Sequence, residues 1–164
     1  MAEIDVKIRQ ATSDDIASIV ELNFALFQED AGQRDPFMNL NWPKEEGQAH
    51  FSKLVSGSDS VCLLAEAGDE VIGYLAGYLW DSGSLQPLKM VELESMYVRP
   101  HCRGQGIGRR LVNEFLKWSE QKGAQRVSVT AYAANARAID FYRGLGFEPK
   151  CLSLEMRIKH ELGG

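Results

Sequence analysis

Three glycines at alternate positions, Gly104, Gly106 and Gly108, stand between an apolar run ending at Tyr97-Val98 and a helix-like pattern from Arg109 to Lys122. No other stretch constrains the fold as tightly, because it reads as strand, tight turn and helix in succession. Glycine reaches positive φ at little cost and lets a ligand approach the main chain, so such a turn can aim several N–H groups at one point. That geometry suits a phosphate. Charge agrees: Arg99, Arg103, Arg109 and Arg110, with His101, fall within twelve residues that contain no acid, in a chain whose net charge is -5. Arg109 and Arg110 sit at the positive end of the helix dipole, which disfavours each cation by roughly 0.3–1 kcal/mol; a bound anion reverses that penalty. The plain alternative is a solvated arginine-rich turn whose glycines serve only the bend.

Two common phosphate loops do not match. The Walker pattern needs Lys-Ser/Thr after its glycines, where this chain has Arg109-Arg110. A Rossmann loop needs a third glycine at position 109 and an acid at the end of the next strand, and residues 126–130 contain none.

The spacing that does fit is Arg-Gly-x-Gly-x-Gly after a strand ending Tyr-Val-x-Pro. With Leu93-Glu94-Ser95-Met96-Tyr97-Val98-Arg99-Pro100-His101-Cys102-Arg103-Gly104-Gln105-Gly106-Ile107-Gly108-Arg109-Arg110-Leu111, and then Asn135-Ala136-Arg137-Ala138-Ile139-Asp140-Phe141-Tyr142-Arg143-Gly144-Leu145-Gly146-Phe147, the chain resembles the GNAT superfamily of acyl-CoA-dependent N-acetyltransferases. The two blocks cover roughly the last half of the chain, in the right order. The resemblance implies a mixed α/β (α+β) fold, mostly antiparallel, in which two central parallel strands splay apart to admit acetyl-CoA.

At 164 residues, 45% of them hydrophobic, the chain reads as one domain, 1–164, with enough apolar side chains for a full core. A pI near 5.2 argues against nucleic acid as the main partner. The N-terminus lacks a basic region followed by an apolar one, and no apolar run approaches the ~18 residues of a spanning helix, so a cytoplasmic protein without a membrane partner is expected. Cys62, Cys102 and Cys151 form no Cys-x-x-Cys pair and read as reduced thiols. His50, His101 and His160 are scattered, so no metal site is expected.

In chain order, Val6 and Ile8, with Ile4, alternate with polar residues as a half-buried strand, and Thr12 precedes a helix running to about Gln28. Residues 29–42 read as a loop or broken helix, and Pro43 opens a second helix that stops by Gly57. Residues 61–65 and 71–79 form a hairpin about Gly68-Asp69-Glu70, and residues 81–86 a loop before the strand at 91–98. The helix after Gly108 ends at Lys122-Gly123, a strand follows at 126–130, and a strand–helix–strand order implies a parallel pair. Asn135 caps a last helix, and residues 147–158 are expected to supply one or two closing strands.

Acyl transfer from a thioester to an amine needs four jobs done. The pyrophosphate falls to Arg103, Arg109 and the N–H groups along Gly104, Gln105, Gly106, Ile107 and Gly108. By resemblance, pantetheine pairs with the main chain of Met96, Tyr97 and Val98. For the base, Glu92 and Glu94 lie two apart in an apolar strand, so a regular pleat puts both on one face, where repulsion and desolvation raise their proton affinity. An ordinary solvent-facing pair is the alternative, and Glu94 is preferred only marginally over Glu92. Asn135, Ala138 or Ile139, and Tyr142 repeat along one helical face. The resemblance makes Tyr142 the general acid toward the leaving thiolate and Asn135 a cofactor contact. A core tyrosine is the alternative. Cys102 beside Arg103 offers a covalent acyl-cysteine route, but no base adjoins it in the sequence.

The acceptor is expected to be a primary amine of a small molecule or peptide. By resemblance its pocket is shaped by the segment joining the first two helices, which carries Glu29, Asp30, Asp35, Phe37 and Trp42. Two rival readings are a non-catalytic acyl-CoA sensor and an unrelated nucleotide-binding protein. Many members of the family pair as homodimers, but no contact surface is fixed by this sequence.

Overall fold

Alternating apolar residues build a five-stranded sheet whose order follows the sequence: β1 (Val6–Gln10), β2 (Ser60–Ala67), β3 (Glu70–Asp81), β4 (Lys89–Val98) and β5 (Arg126–Val129). The computed structural model describes residues 3–81 and 83–160. The first four strands are antiparallel to their neighbours, while β4 and β5 run parallel. This is the mixed, mostly antiparallel architecture expected. Gly68, at φ 59°, makes the β2–β3 turn with Asp69. Ser82 lies outside the described residues, so the loop expected at 81–86 is described only in part.

Helices cover both faces. α1 (Ile16–Glu29) and α4 (Gly47–Ser56) bury Ile19, Leu22, Phe51 and Leu54 against Cys62, Leu64, Tyr74 and Ala76. On the other face α5 (Ile107–Gln121) lays Leu111, Val112, Phe115 and Trp118 over Val61, Leu63, Leu75 and Val91. Alternate residues of β2 therefore face opposite layers, as the period-two geometry of a strand requires.

Between α1 and α4 the chain makes two single-turn helices, α2 (Ala31–Arg34) and α3 (Trp42–Glu45), so the second helix expected from Pro43 is broken at Glu46. Thr12 and Asp15 close a short 3-10 turn ahead of α1, with the Thr12 N–H donating to Asp15 at 2.7 Å.

Two irregularities of β4 shape its surroundings. Its pairing with β5 covers only Met90–Leu93 against Arg126–Val129, so no strand borders the far edge of β4 beyond Leu93 among the described residues. This is the splay expected between the parallel strands. Second, Ala76 opposes Ser95 while Gly77 opposes Leu93, which leaves Glu94 as the extra residue of a bulge.

The last helix, α6 (Ala136–Gly144), is capped by Asn135, whose Oδ1 accepts from the Ala138 N–H at 3.1 Å. After it the expectation of closing strands fails. Residues 148–160 hold no regular structure and are exposed, and no strand among the described residues runs beside them to complete a ladder.

Candidate active site

Sequence dictates the glycine turn locally. Gly104 and Gly106 adopt φ of 76° and 77°, the left-handed region that costs a residue with a Cβ roughly 1–2 kcal/mol. Gly106 is the N-cap of α5, and the first N–H groups of that helix have no intrahelical acceptor. Gly108 serves a different end: a Cβ there would stand 3.2 Å from the ring of Phe141, so the missing side chain lets α5 and α6 pack closely.

The arginines divide by role. Arg103 forms a bidentate pair with Glu29 at 2.7 and 2.9 Å, donates through Nε to the Val98 carbonyl at 2.7 Å, and lies 5.1 Å from the ring centre of Tyr97. It ties the turn to the end of α1, and its hydrogen bond holds the Glu29 carboxyl below the ordinary range. Arg99 reaches Glu21 and Glu70, and Arg110 donates to the Val6 carbonyl. Arg109 is exposed and has no ion-pair partner among the described residues.

Met96, Tyr97 and Val98 pair with β3 on one side only, opposite Leu75, Tyr74 and Gly73. Their other edge faces the splay, and α6 stands near it. Tyr142 packs edge-on between Phe141 and Phe147, and its hydroxyl has no hydrogen-bond partner among the described residues. Burial, with a smaller contribution from Asp30, raises its phenol well above the usual range, so it stays protonated and able to donate. Asn135 is occupied at both ends of its amide: beyond its capping bond, Nδ2 donates to Asp30 Oδ1 at 3.1 Å.

The two acids of β4 have separate partners. Glu92 accepts a short hydrogen bond from Ser128 of β5, just before the strands part. Burial raises its carboxyl, the Ser128 bond opposes this, and Glu94 adds a smaller upward push. Glu94, at the bulge, faces His50 of α4, whose Nε2 lies 2.8 and 3.0 Å from its two oxygens. For Glu92, repulsion from its neighbour is thus a minor influence and desolvation the main one. Both acids still act on Tyr78, whose phenol is raised first by burial and then by Glu92 and Glu94.

Glu94 and His50 line a cavity of about 320 Å³ whose other walls include Asn23, Phe27, Met38, Trp42 and Ser95. Phe27 and Trp42 stack at 5.9 Å, and Trp42 meets His50 edge-on at 5.3 Å. Behind them runs a buried polar chain, with Asn23 Nδ2 donating to Tyr74 OH at 2.8 Å and Tyr74 OH donating to Ser95 Oγ at 2.9 Å. Asn23 Oδ1 is buried without a partner among the described residues.

The family model described as "Acetyltransferase (GNAT) family" matches residues 19–147. The chain belongs to the GNAT family. This is a family of acyltransferase enzymes, and the likeness extends to individual proteins. An uncharacterized N-acetyltransferase of Methanocaldococcus jannaschii is 25% identical over 87% of this chain, which spans 61% of that relative. A thialysine N-epsilon-acetyltransferase of Bos taurus is 30% identical over 63% of this chain and 68% of its own. Among solved structures, a Bacillus halodurans protein superposes with a TM-score of 0.85 at 22% identity, covering 93% of this chain and 99% of its own. An aminoglycoside N-acetyltransferase in complex with CoA superposes at 0.76 with 18% identity, covering 95% of this chain and 96% of the other.

Within this GNAT chain, the glycine turn follows the free edge of β4, Phe141 and Met96 pack beside Gly108, and Glu92 and Glu94 lie on β4 itself. Of the residues expected to shape the acceptor pocket, only Trp42 lines the cavity. Glu29 is held by Arg103, Asp30 by Arg34 and Asn135, and Asp35 accepts from the Phe37 N–H. His50 and Asn23 were not singled out as site residues, since nothing in the spacing of His50 points to a partner 44 residues away. Cys102 is 2% exposed in the core beside Ile107, which removes it as an acyl-carrying nucleophile. No helix among the described residues is long and apolar enough to cross a membrane.

Proposed function

We propose that this chain is an N-acetyltransferase that moves an acetyl group from acetyl-CoA to a primary amine of a small molecule or peptide, by direct attack within a ternary complex in the cytoplasm. The observation that supports it most is the alignment of three features on one strand and its turn: left-handed Gly104 and Gly106 ahead of a helix start, an unpaired strand edge at Met96, Tyr97 and Val98, and an acid-lined cavity beyond.

These residues fit the cosubstrate. Free N–H groups along Gly104, Gln105, Gly106, Ile107 and Gly108, with Arg109 beside them, suit a diphosphate, and the free edge of β4 suits an amide-bearing arm. Arg103 positions this turn through Glu29 and Val98, and Asn135 positions α6. Acetyl-CoA supplies an activated acyl group on a thiol that leaves more readily than an amine.

On the acceptor side, Phe27, Trp42 and Met38 give apolar walls, while Glu94 supplies negative charge where a cationic amine enters. Glu94 takes the proton that must leave the ammonium before its nitrogen can attack, directly or through a water, and His50 orients the carboxylate. Glu92 stays the second candidate for that role. Tyr142, kept protonated, donates a hydrogen bond to the developing thiolate; full transfer to thiolate is uphill by about 2 kcal/mol from an unperturbed phenol and by more from this buried one, so a strong hydrogen bond suffices.

The relatives named for thialysine and aminoglycosides indicate which amines to try first. The test is thiol release from acetyl-CoA in the presence of polyamines, aminoglycosides, amino acids and peptide N-termini. Turnover with one class supports the proposal. Tight acetyl-CoA binding with no thiol release across the panel favours a non-catalytic sensor, and absence of binding rejects both.

A further inference from the structure

Four rings stand in a row along the cavity that holds Glu94. Phe27 and Trp42 are stacked within 9° of parallel, Trp42 meets His50 edge-on, and His50 meets Phe51 edge-on at 5.1 Å. The row touches charge at one place, where His50 Nε2 lies 2.8 Å from the Glu94 carboxylate. Exposed Met38 and Asn39 complete the outer part of the lining.

Little else there is free to bind a polar group. Asn39 gives its Nδ2 to Glu45 at 2.9 Å and accepts the Asn41 N–H at 3.0 Å. Asn23 and Ser95 both bond to Tyr74 OH, and the spare acceptor of Asn23, Oδ1, is buried. Glu94 is the only acid in the lining among the described residues, and part of its charge already answers to His50. Glu45 is exposed outside the lining, where water and salt screen it. Size sets a further limit: about 320 Å³ is at the lower end of the ~300–1,000 Å³ usual for small-molecule sites.

We infer that the acceptor is an amine with a single positive charge on a flat apolar body, an arylalkylamine in chemical class, rather than a polycation. This rests on the cavity being the acceptor side, as proposed above. The ammonium lies at Glu94, and the ring lies along Trp42 and Phe27. A polyamine or an aminoglycoside brings further charges, each to be desolvated against rings with no carboxylate to meet it. Stacking covers one face of Phe27 and one of Trp42, which leaves less ring face for a second ammonium. Burial of an aryl ring there is a gain that an aliphatic diamine forgoes.

The test compares kcat/KM for thiol release from acetyl-CoA with 2-phenylethylamine, tryptamine, putrescine, spermidine, lysine and kanamycin. The two ring-bearing amines should lead by ~10–100-fold, the worth of burying one ring. Met38→Glu sets a second carboxylate in the outer lining and should move the kcat/KM ratio several-fold toward putrescine and spermidine, a gain that misfolding does not produce. Calorimetry of the same amines with the CoA-loaded protein reads the site without turnover, and Trp42→Ala should weaken tryptamine by ~10-fold. A polycation that equals or exceeds both ring-bearing amines in kcat/KM overturns the inference and leaves acetyl transfer standing, and so does a ratio that Met38→Glu fails to move. Ring-bearing amines that bind while no amine releases thiol keep the ligand class and overturn acetyl transfer. Ring-bearing amines that neither bind nor react overturn the inference.

Discussion

His50 Nε2 stands 2.8 and 3.0 Å from the two oxygens of Glu94, joining α4 to the bulge of β4 at the wall of the aromatic-lined cavity. The imidazole thereby fixes the direction in which the carboxylate presents its free lone pairs. Replacing Glu94 with Gln keeps the shape and removes the carboxylate proposed as the base. Turnover should fall by ~10²–10⁴-fold at neutral pH, with loss of its rise toward alkaline pH. Glu92→Gln should cost less, since Glu92 already accepts from Ser128. Rate–pH profiles of both variants decide the matter, and a larger loss in Glu92→Gln reassigns the base.

Tyr142→Phe removes one oxygen from a ring held between Phe141 and Phe147, so packing survives. Turnover should drop by ~10²-fold, within the usual span for an acid-base group, while calorimetric affinity for CoA changes little. Unchanged turnover would leave Tyr142 as a core residue only.

Gly106→Ala places a Cβ on a residue at φ 77° with no atom within 4 Å of it, so the penalty is backbone strain alone. About 1 kcal/mol of destabilisation, or roughly 2–4 °C in Tm, is expected. The Kd for CoA should rise as the α5 N–H groups turn away. Equal Tm and Kd would show that the turn tolerates other conformations.

Asp15 is held at about 2 chiefly by its hydrogen bond from Arg9, with burial opposing and the Thr12 N–H assisting. A carboxyl with a folded pKa below its unfolded one contributes stability above the unfolded value and loses it as pH falls through the folded one. Stability should therefore decline from near pH 4 toward pH 2, and Asp15→Asn should flatten that part of the Tm–pH curve. At neutral pH the variant should lose roughly 1 kcal/mol, as expected of a partly exposed pair. A wild-type curve with no slope there would assign the ion pair no role.

The proposed donor side was legible because it is local: a strand, a turn and a helix start adjacent in sequence place Met96 to Gly108 without help from the rest of the fold. The parallel pairing and the cap at Asn135 followed from element order and one side chain. The proposed acceptor side was not legible, because His50, Asn23 and Glu94 come to one cavity only through tertiary packing. The acids between the first two helices looked like ligand groups and are spent on Arg103, Arg34 and local backbone instead. Asn135 and Arg103, read as cofactor contacts, have structural partners of their own. At the end of the chain the alternation reads as a strand, yet residues 148–160 join no ladder among the described residues, because a pattern of side chains does not supply a pairing edge.

Gly108 sets the spacing between α5 and α6. A side chain there would press on the ring of Phe141 at 3.2 Å, so the helix that carries Tyr142 rests against the turn a few tenths of an ångström closer than an alanine would permit. If the proposed cosubstrate lies between turn and phenol, the reach it must match is gauged by an atom the chain omits.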